Sequence, residues 1–302
     1  MSLTEWNWYI EYSSDYHGYI YAIRRSLFSG ETPYQRVDIV DTFTYGKLLI
    51  IDGKTQSAEF DEYIYHEALV HPAAIMHPDP KKILIMGGGE GAVLREICRY
   101  EEVEQITMVD IDEKVVEMCR EHLPEWHQNS FEDERVRLIH MDARLYLEET
   151  DHKFDIIYSD LTEPGQESPS RLLFTREFYN LVRKKLNPDG VLVVQSGGFS
   201  LDYLSMHAAI RNTLKSSFDV VQSYHAFIPS FDCSWGFTIA RQESAIPDIR
   251  RKEVDYRLRA IAGDLKFYDG ETHEGMFCIP KDIRLALEEN QTVFEDNKPV
   301  TF

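Results

Sequence analysis

The sequence predicts an α/β protein in which a Rossmann-like parallel sheet with flanking helices follows a small N-terminal antiparallel β domain. Three observations carry this. Between residues 19 and 59, β-branched and aromatic residues form short runs broken by turn signals. From residue 82 onward, short apolar runs alternate with amphipathic stretches, the pattern of strands buried between two layers of helices. The breakers His77-Pro78-Asp79-Pro80 separate the two textures. With 302 residues, 43% of them hydrophobic and 12% aromatic, the chain can bury a large core without disulfide or metal staples.

In order, strands are expected at 19–24, 36–40 and 44–51. Asp52-Gly53, a two-residue hairpin signal, then leads to a strand at 54–58. A helix is expected at 61–76. Parallel strands follow at 82–86, 105–110, 137–140, 154–159 and 191–195. Helices lie between them at 92–100, 113–123, 143–149 and 175–186, the last stopped by a turn over 186–190. A helix at 204–217 and strands at 220–224 and 236–240 give the sheet an antiparallel finish, and tail helices are expected at 248–262 and 281–290. The division falls at residue 62. Residues 1–62 form a β domain for oligomerisation and for covering the substrate, and residues 63–302 form the catalytic domain with a C-terminal helical extension.

Charge narrows the partners. There are 32 basic and 52 acidic residues, a formal net charge of −20. Such a surface repels phosphate, so nucleic acid is not an expected partner and cationic ligands are favoured. Apolar runs such as 83–86 and 191–194 are far too short to span a bilayer. The N-terminus lacks the basic start and apolar stretch of a secretion signal, and four scattered cysteines read as reduced thiols, so a cytoplasmic location is expected. No metal is expected. His66 and His71, the nearest approach to a zinc helix, are five positions apart and so about 140° apart around a helix, too far to share one ion.

The chemistry gathers at strand ends. Gly87-Gly88-Gly89-Glu90-Gly91-Ala92 follows a buried strand and opens a helix, where glycines allow a close backbone approach and free N–H groups await a ligand. Asp110 closes the next strand about 20 residues on, where an acid commonly holds ribose hydroxyls. NAD enzymes and adenosylmethionine enzymes both use this arrangement. Asp142 and Asp160 then stand just past the third and fourth strands, so Glu90, Asp110, Asp142 and Asp160 place an acid beyond each of four successive strands. Helix capping explains one or two such positions but not all four. The crevice suits a cationic sulfonium nucleoside and a cationic co-substrate better than a pyrophosphate, which the acids would repel, and this weighs against NAD. The parallel sheet is expected to be of the methyltransferase type.

At these residues the sequence resembles the polyamine aminopropyltransferases, the spermidine synthase family. The resemblance runs from about residue 34 to 241. Its motifs are Tyr34-Gln35, the segment from Leu48 to Gln56, Asp61-Glu62-Tyr63-Ile64-Tyr65-His66-Glu67, the glycine loop, Asp110-Ile111-Asp112, Asp142-Ala143, Asp160-Leu161-Thr162-Glu163-Pro164 and Ile228-Pro229-Ser230-Phe231. Gly89-Glu90-Gly91, the run from Gly46 to Lys54, Pro229-Ser230-Phe231 with Trp235-Gly236, and the C-terminal extension are most similar to the thermospermine synthase branch. The resemblance implies decarboxylated S-adenosylmethionine as co-substrate, with no permanently bound cofactor, a polyamine acceptor, and a homodimer or homotetramer.

It also implies roles. Gln35, Gly87, Gly89, Asp110, Asp142, Ala143 and Pro169 would hold the donor, with Asp110 on the ribose, Asp142 near the adenine amino group and Pro169 in a loop closing over the nucleoside. Gln56, His66, Glu90, Leu161, Thr162, Glu163, Phe231 and Trp235 would line the acceptor path. Asp160 would be the catalytic carboxylate, with Tyr65 positioning the amine. Leu161 stands where many spermidine synthases have a small hydroxyl residue, Phe231 replaces a tyrosine, and Glu163 is one methylene longer than the usual aspartate. These changes favour spermidine over putrescine as acceptor. A putrescine-using spermidine synthase and a methyltransferase on the same fold are the alternatives. The second must accept the donor's carboxylate, which Glu90 and Asp160 would repel. A non-catalytic nucleoside or polyamine binder is argued against by Asp160 and Tyr65, and serine hydrolysis by the lack of a Gly-x-Ser-x-Gly elbow.

Overall fold

The computed structural model describes residues 7–14, 16–165, 168–242 and 249–299. Five antiparallel strands form the first sheet in sequential order: β1 (Asn7–Ser14), β2 (His17–Glu31), β3 (Arg36–Thr42), β4 (Gly46–Ile51) and β5 (Lys54–Ala58). The Asp52-Gly53 hairpin forms as expected, with both residues at positive φ (49° and 76°). β1 was not foreseen, and β2 runs well beyond the expected 19–24, because polar and charged residues interrupt its apolar pattern.

The second sheet has the order β11-β12-β10-β9-β6-β7-β8. Its strands are β6 (Lys82–Gly87), β7 (Gln105–Asp110), β8 (Val136–His140), β9 (Phe154–Asp160), β10 (Leu186–Gly198), β11 (Val220–Ile228) and β12 (Cys233–Arg241). β10, β9, β6, β7 and β8 are parallel, and β12 and β11 close the edge antiparallel. Alternate residues serve opposite faces. Ile83, Ile85, Ile156, Tyr158, Val191 and Val193 pack on one side, whereas Leu84, Met86, Ile157, Leu192 and Val194 pack on the other. The first face carries α1 (Glu62–Met76) and α2 (Ala92–Cys98), and the second α5 (Ala143–Glu149), α6 (Arg176–Lys185) and α7 (Leu204–Lys215). Each fully buried aliphatic or aromatic side chain contributes about 1.5–3 kcal/mol. This two-sided burial is why the strands read as unbroken apolar runs.

Between β7 and β8 lie α3 (Glu113–His122) and the single turn α4 (Pro124–His127). The expected turn at 186–190 is instead an irregular start to β10. The pairing with β9 jumps from Leu186–Phe154 to Val191–Ile156, and the Asn187 amide donates to Asp155 Oδ1 at 2.7 Å across the bulge. The expected tail helix at 248–262 is shorter. α8 (Arg251–Arg257) passes into a 3₁₀ turn at Leu258–Ala260, and residue 248 lies outside the described residues. α9 (Gly270–Met276) was not foreseen, and α10 (Lys281–Glu289) matches its expected span to within a residue.

α1 contains Pro72, which offers no N–H to the Ala68 carbonyl one turn earlier. The Tyr224 hydroxyl, from β11, donates to that carbonyl at 3.0 Å. The sheet thus replaces the bond that proline removes, and α1 runs unbroken beneath the site.

Candidate active site

A cavity of about 930 Å³ opens over the carboxyl ends of the parallel strands, at the switch where β6 has β9 on one side and β7 on the other. Glu90 and Asp142, just past β6 and β8, and Asp110 and Asp160, the last residues of β7 and β9, all line it. Gln35, Gln56, Tyr65, Gly87, Gly89, Ala143, Leu161, Thr162, Glu163, Pro169, Phe231 and Trp235 line it as well. Of the expected site residues, His66 alone is set back from the wall, fully buried behind Glu90.

Asp160 sits at the centre. Its backbone carbonyl accepts from Gly88 N–H at 3.0 Å, and its Oδ1 accepts from the Tyr65 hydroxyl at 2.6 Å. The first bond needs the glycine loop: Gly87 lies at φ +81°, and a Cβ there would stand 2.2 Å from the Asp160 carbonyl oxygen. Burial pushes the Asp160 carboxyl up to about 6, the charge on His66 working against that rise and Glu90 with it. Tyr65 is buried on α1, its hydroxyl held neutral by burial and by Asp160.

One half of the wall is built from loops. Asp110 Oδ1 accepts from Asp112 N–H at 2.8 Å and its carboxyl is raised to about 6, chiefly by burial. Gln35, on the turn before β3, donates through Nε2 to Asp112 Oδ2 at 3.1 Å, which ties the first sheet to this crevice. Asp142 does cap α5, accepting from Arg144 and Leu145 N–H groups at 2.7 and 3.0 Å. Both bonds fall on Oδ1, which leaves Oδ2 for a ligand. Capping and ligand binding are therefore compatible roles for one carboxylate. Pro169 is exposed on a 3₁₀ turn (Pro169–Phe174), and Ser170 Oγ fastens that turn to the strand-end loop by donating to the Thr162 carbonyl at 2.9 Å.

The other half is aromatic and acidic. Phe231 packs edge-on against Trp235 and Tyr65, with ring centroids 4.9 and 6.1 Å away. Asp61 fixes this turn by accepting from Ser230 N–H and Oγ at 2.6 and 2.8 Å. Trp235 Nε1 donates to Gln195 Oε1 at 3.2 Å, and Gln195 Nε2 donates to the Leu161 carbonyl at 2.5 Å. Desolvation by the surrounding cavity wall raises the Glu163 carboxyl even though the residue is exposed at the cavity mouth, and Lys54 opposes the rise. Gln56 donates to the Lys54 carbonyl at 3.2 Å, and Glu11 Oε2 accepts from Thr55 N–H and Oγ1 at 3.1 and 2.6 Å.

Several wall residues escaped sequence reasoning. Gln195 ends the strand expected at 191–195, although β10 itself runs on to Gly198, so the same strand-end rule could have found it. Glu11 stands on the unforeseen β1, and Asp202 and Tyr203 lie in the connection before α7. Nothing local in the sequence marks those three.

Comparison with known proteins agrees with this geometry. Residues 62–252 match the spermine/spermidine synthase domain, and residues 7–59 match the spermidine synthase tetramerisation domain. The chain is 44% identical to a polyamine aminopropyltransferase of Sulfolobus acidocaldarius, over 98% of each chain. It is 40% identical to polyamine aminopropyltransferase 2 of Pseudomonas aeruginosa, over 96% of this chain and 84% of the relative. Among solved structures, a spermidine synthase in complex with the transition state analogue AdoDATO superposes with a TM-score of 0.86 at 29% identity, covering 93% of this chain and 95% of the other. The spermidine synthase of Thermotoga maritima gives 0.84 at the same identity, covering 93% and 94%. With matching domains along most of its length and relatives above 40% identity over nearly all of it, the chain belongs to the spermine/spermidine synthase family of aminopropyltransferases.

Proposed function

We propose that this protein transfers the 3-aminopropyl group of decarboxylated S-adenosylmethionine to a polyamine, with spermidine as the preferred acceptor, and releases 5′-methylthioadenosine. The observation that carries the reading is the convergence of Glu90, Asp110, Asp142 and Asp160 in one cavity with Tyr65 bonded to Asp160. About 930 Å³ is at the upper end for a small-molecule site, as two reactants require.

An acceptor amine is protonated near neutrality, its pKa close to the lysine value of about 10.4. Asp160 takes one proton from the ammonium, and the freed nitrogen lone pair attacks the methylene carbon bonded to the sulfonium. The new C–N bond forms as the C–S bond breaks, and its electron pair neutralises the sulfur, so the leaving thioether needs no proton. Tyr65 orients the Asp160 carboxylate, and Glu163 receives a further ammonium of the acceptor. Asp110 would hold the ribose, Asp142 the adenine side, and Gln35, Gly87, Gly89, Ala143 and Pro169 the rest of the donor. Holding nitrogen and carbon in line supplies much of the rate.

Leu161, Phe231 and Trp235 support a triamine acceptor, because they give the channel an apolar stretch suited to methylenes between charged ends. The match of residues 7–59 to the spermidine synthase tetramerisation domain supports a homodimer or homotetramer. A cytoplasmic site of action fits the polyamine chemistry, and among the described residues no helix is long and apolar enough to cross a membrane. A panel of putrescine, spermidine and spermine, with chromatographic separation of thermospermine from spermine as products, tests the acceptor. Spermidine should give the highest kcat/KM. Equal or better turnover of putrescine would reject the triamine preference and keep the reaction, and methyl transfer from intact S-adenosylmethionine would reject both.

A further inference from the structure

His66 lies behind the cavity wall, and both of its ring nitrogens face carboxylate oxygens. Nδ1 stands 2.8 Å from Glu62 Oε2 and 2.7 Å from the Glu62 carbonyl, and Nε2 stands 2.6 Å from Glu90 Oε1. The Nε2 approach is that of an ion pair, without a formed hydrogen bond. An imidazole whose two nitrogens both meet acceptors needs a proton on each. Behind Glu62 the charges continue inward. Arg95 grips it through two nitrogens at 2.9 Å each, and Arg95 Nε donates to Glu96 Oε1 at 2.7 Å. On the cavity side, Glu90 Oε2 accepts from Ser57 Oγ at 2.9 Å, and Ser57 Oγ accepts from Trp126 Nε1 at 2.9 Å. Both oxygens of Glu90 are therefore held from behind.

We infer that His66 is a positioning residue, a fixed buried cation that pins the Glu90 carboxylate on the cavity wall and sets the local charge in which Asp160 works, rather than a group that touches the acceptor. The inference deepens the proposed reaction and rests on it. Other charged or titratable groups facing this pair are Tyr65 on α1, Asp160 at the end of β9 and Arg95 on α2; Glu163, past β9, acts on Tyr65, and Cys119 on α3 feels Glu90. The two neighbouring carboxylates hold the imidazole protonated to about 10 against the opposing effect of burial. The His66 charge lowers Asp160 and the Glu90 charge raises it, so the two neighbours act on the catalytic carboxylate with opposite sign.

That opposition gives the test. In pH profiles of kcat/KM, His66→Gln should move the acid limb up by about one pH unit or less, and Glu90→Gln should move it down by a similar amount. A residue that only supports the fold would leave the limb in place or move it the same way in both variants. ¹⁵N-histidine NMR on the wild type needs no turnover: both His66 ring nitrogens should carry protons at pH 8. A neutral His66 at pH 8, or limbs that stay put or shift in parallel, would overturn the inference. A wild type that turns over no polyamine at all would instead overturn the reaction while leaving the NMR expectation standing.

Discussion

At Asp160 the demands of the proposed chemistry and of folding pull against each other. Its carboxyl is raised from 3.8 to about 6, mostly by burial, so the ionised form that accepts a proton is the form the fold disfavours. The folded state binds that proton more tightly than the unfolded state. The group therefore costs no stability below about pH 4, and the cost develops as pH rises through 6. Asp160→Asn should then lower kcat by about 10²–10⁴-fold while raising the Tm at pH 8 by a few degrees, an amount that shrinks toward pH 4. Calorimetry beside steady-state assays checks both, and a lower Tm at pH 8 would contradict this account. In the wild type, kcat/KM should rise with pH through an acid limb near 6, the ionisation of Asp160 in the free enzyme. Glu90, Asp110, Asp142 and Asp160 were legible because each stands at or just past the end of a parallel strand. Ser57 and Trp126, which hold Glu90, and Glu67, which accepts three N–H bonds at 2.8–2.9 Å from residues 266–268, were not. Their roles depend on partners far away in the chain, and no spacing rule reaches that far.

At the scale of elements, α1 shows how tertiary contact overrides local preference. Pro72 would break an isolated helix at a cost of about 3 kcal/mol. Here the Tyr224 hydroxyl satisfies the Ala68 carbonyl. Tyr224→Phe should orphan that buried carbonyl and cost about 1–3 kcal/mol. Adding Pro72→Ala should recover much of the loss, because residue 72 then regains an N–H one turn away from Ala68. Urea denaturation of both variants measures this, and a double variant no more stable than Tyr224→Phe alone would rule out the compensation. The same contrast explains which elements the sequence revealed. Of the five parallel strands, β6, β7, β9 and the latter part of β10 are buried on both faces and read as clean apolar runs, and α3, α5 and α6 begin at Asp112, Asp142 and Thr175, which cap them with side-chain oxygens. β1 and the first residues of β10 were missed. One mixes exposed aromatics with polar residues, and the other carries Asn, Pro, Asp and Gly in a strand whose pairing slips. The short α9, centred on Thr272-His273-Glu274, shows too little periodicity to separate from a loop.

Across the whole molecule, β1 faces two ways. Trp8, Ile10 and Tyr12 lie on one side, Ile10 opposite Ile20 on β2, and Ile10 and Ile20 are 49% and 63% exposed. Tyr9 packs inward in the first sheet's core, and Glu11 turns inward to Thr55 and the cavity. An exposed apolar stripe of this kind marks a protein–protein surface, and residues 7–59 are the part that matches the tetramerisation domain. If copies of the chain meet along this stripe, assembly also steadies the strand that carries Glu11 into the end of the cavity proposed for the acceptor. The double variant Ile10→Lys with Ile20→Lys places like charges directly opposite each other on that face. It should shift the mass measured by light scattering toward monomer and raise the acceptor KM several-fold more than the donor KM. Leu285→Lys, at an equally exposed apolar position on α10 far from this sheet in the chain, should leave the mass unchanged. An unchanged mass in the double variant would remove the stripe as the assembly surface, and dissociation with an unaltered acceptor KM would separate assembly from the site.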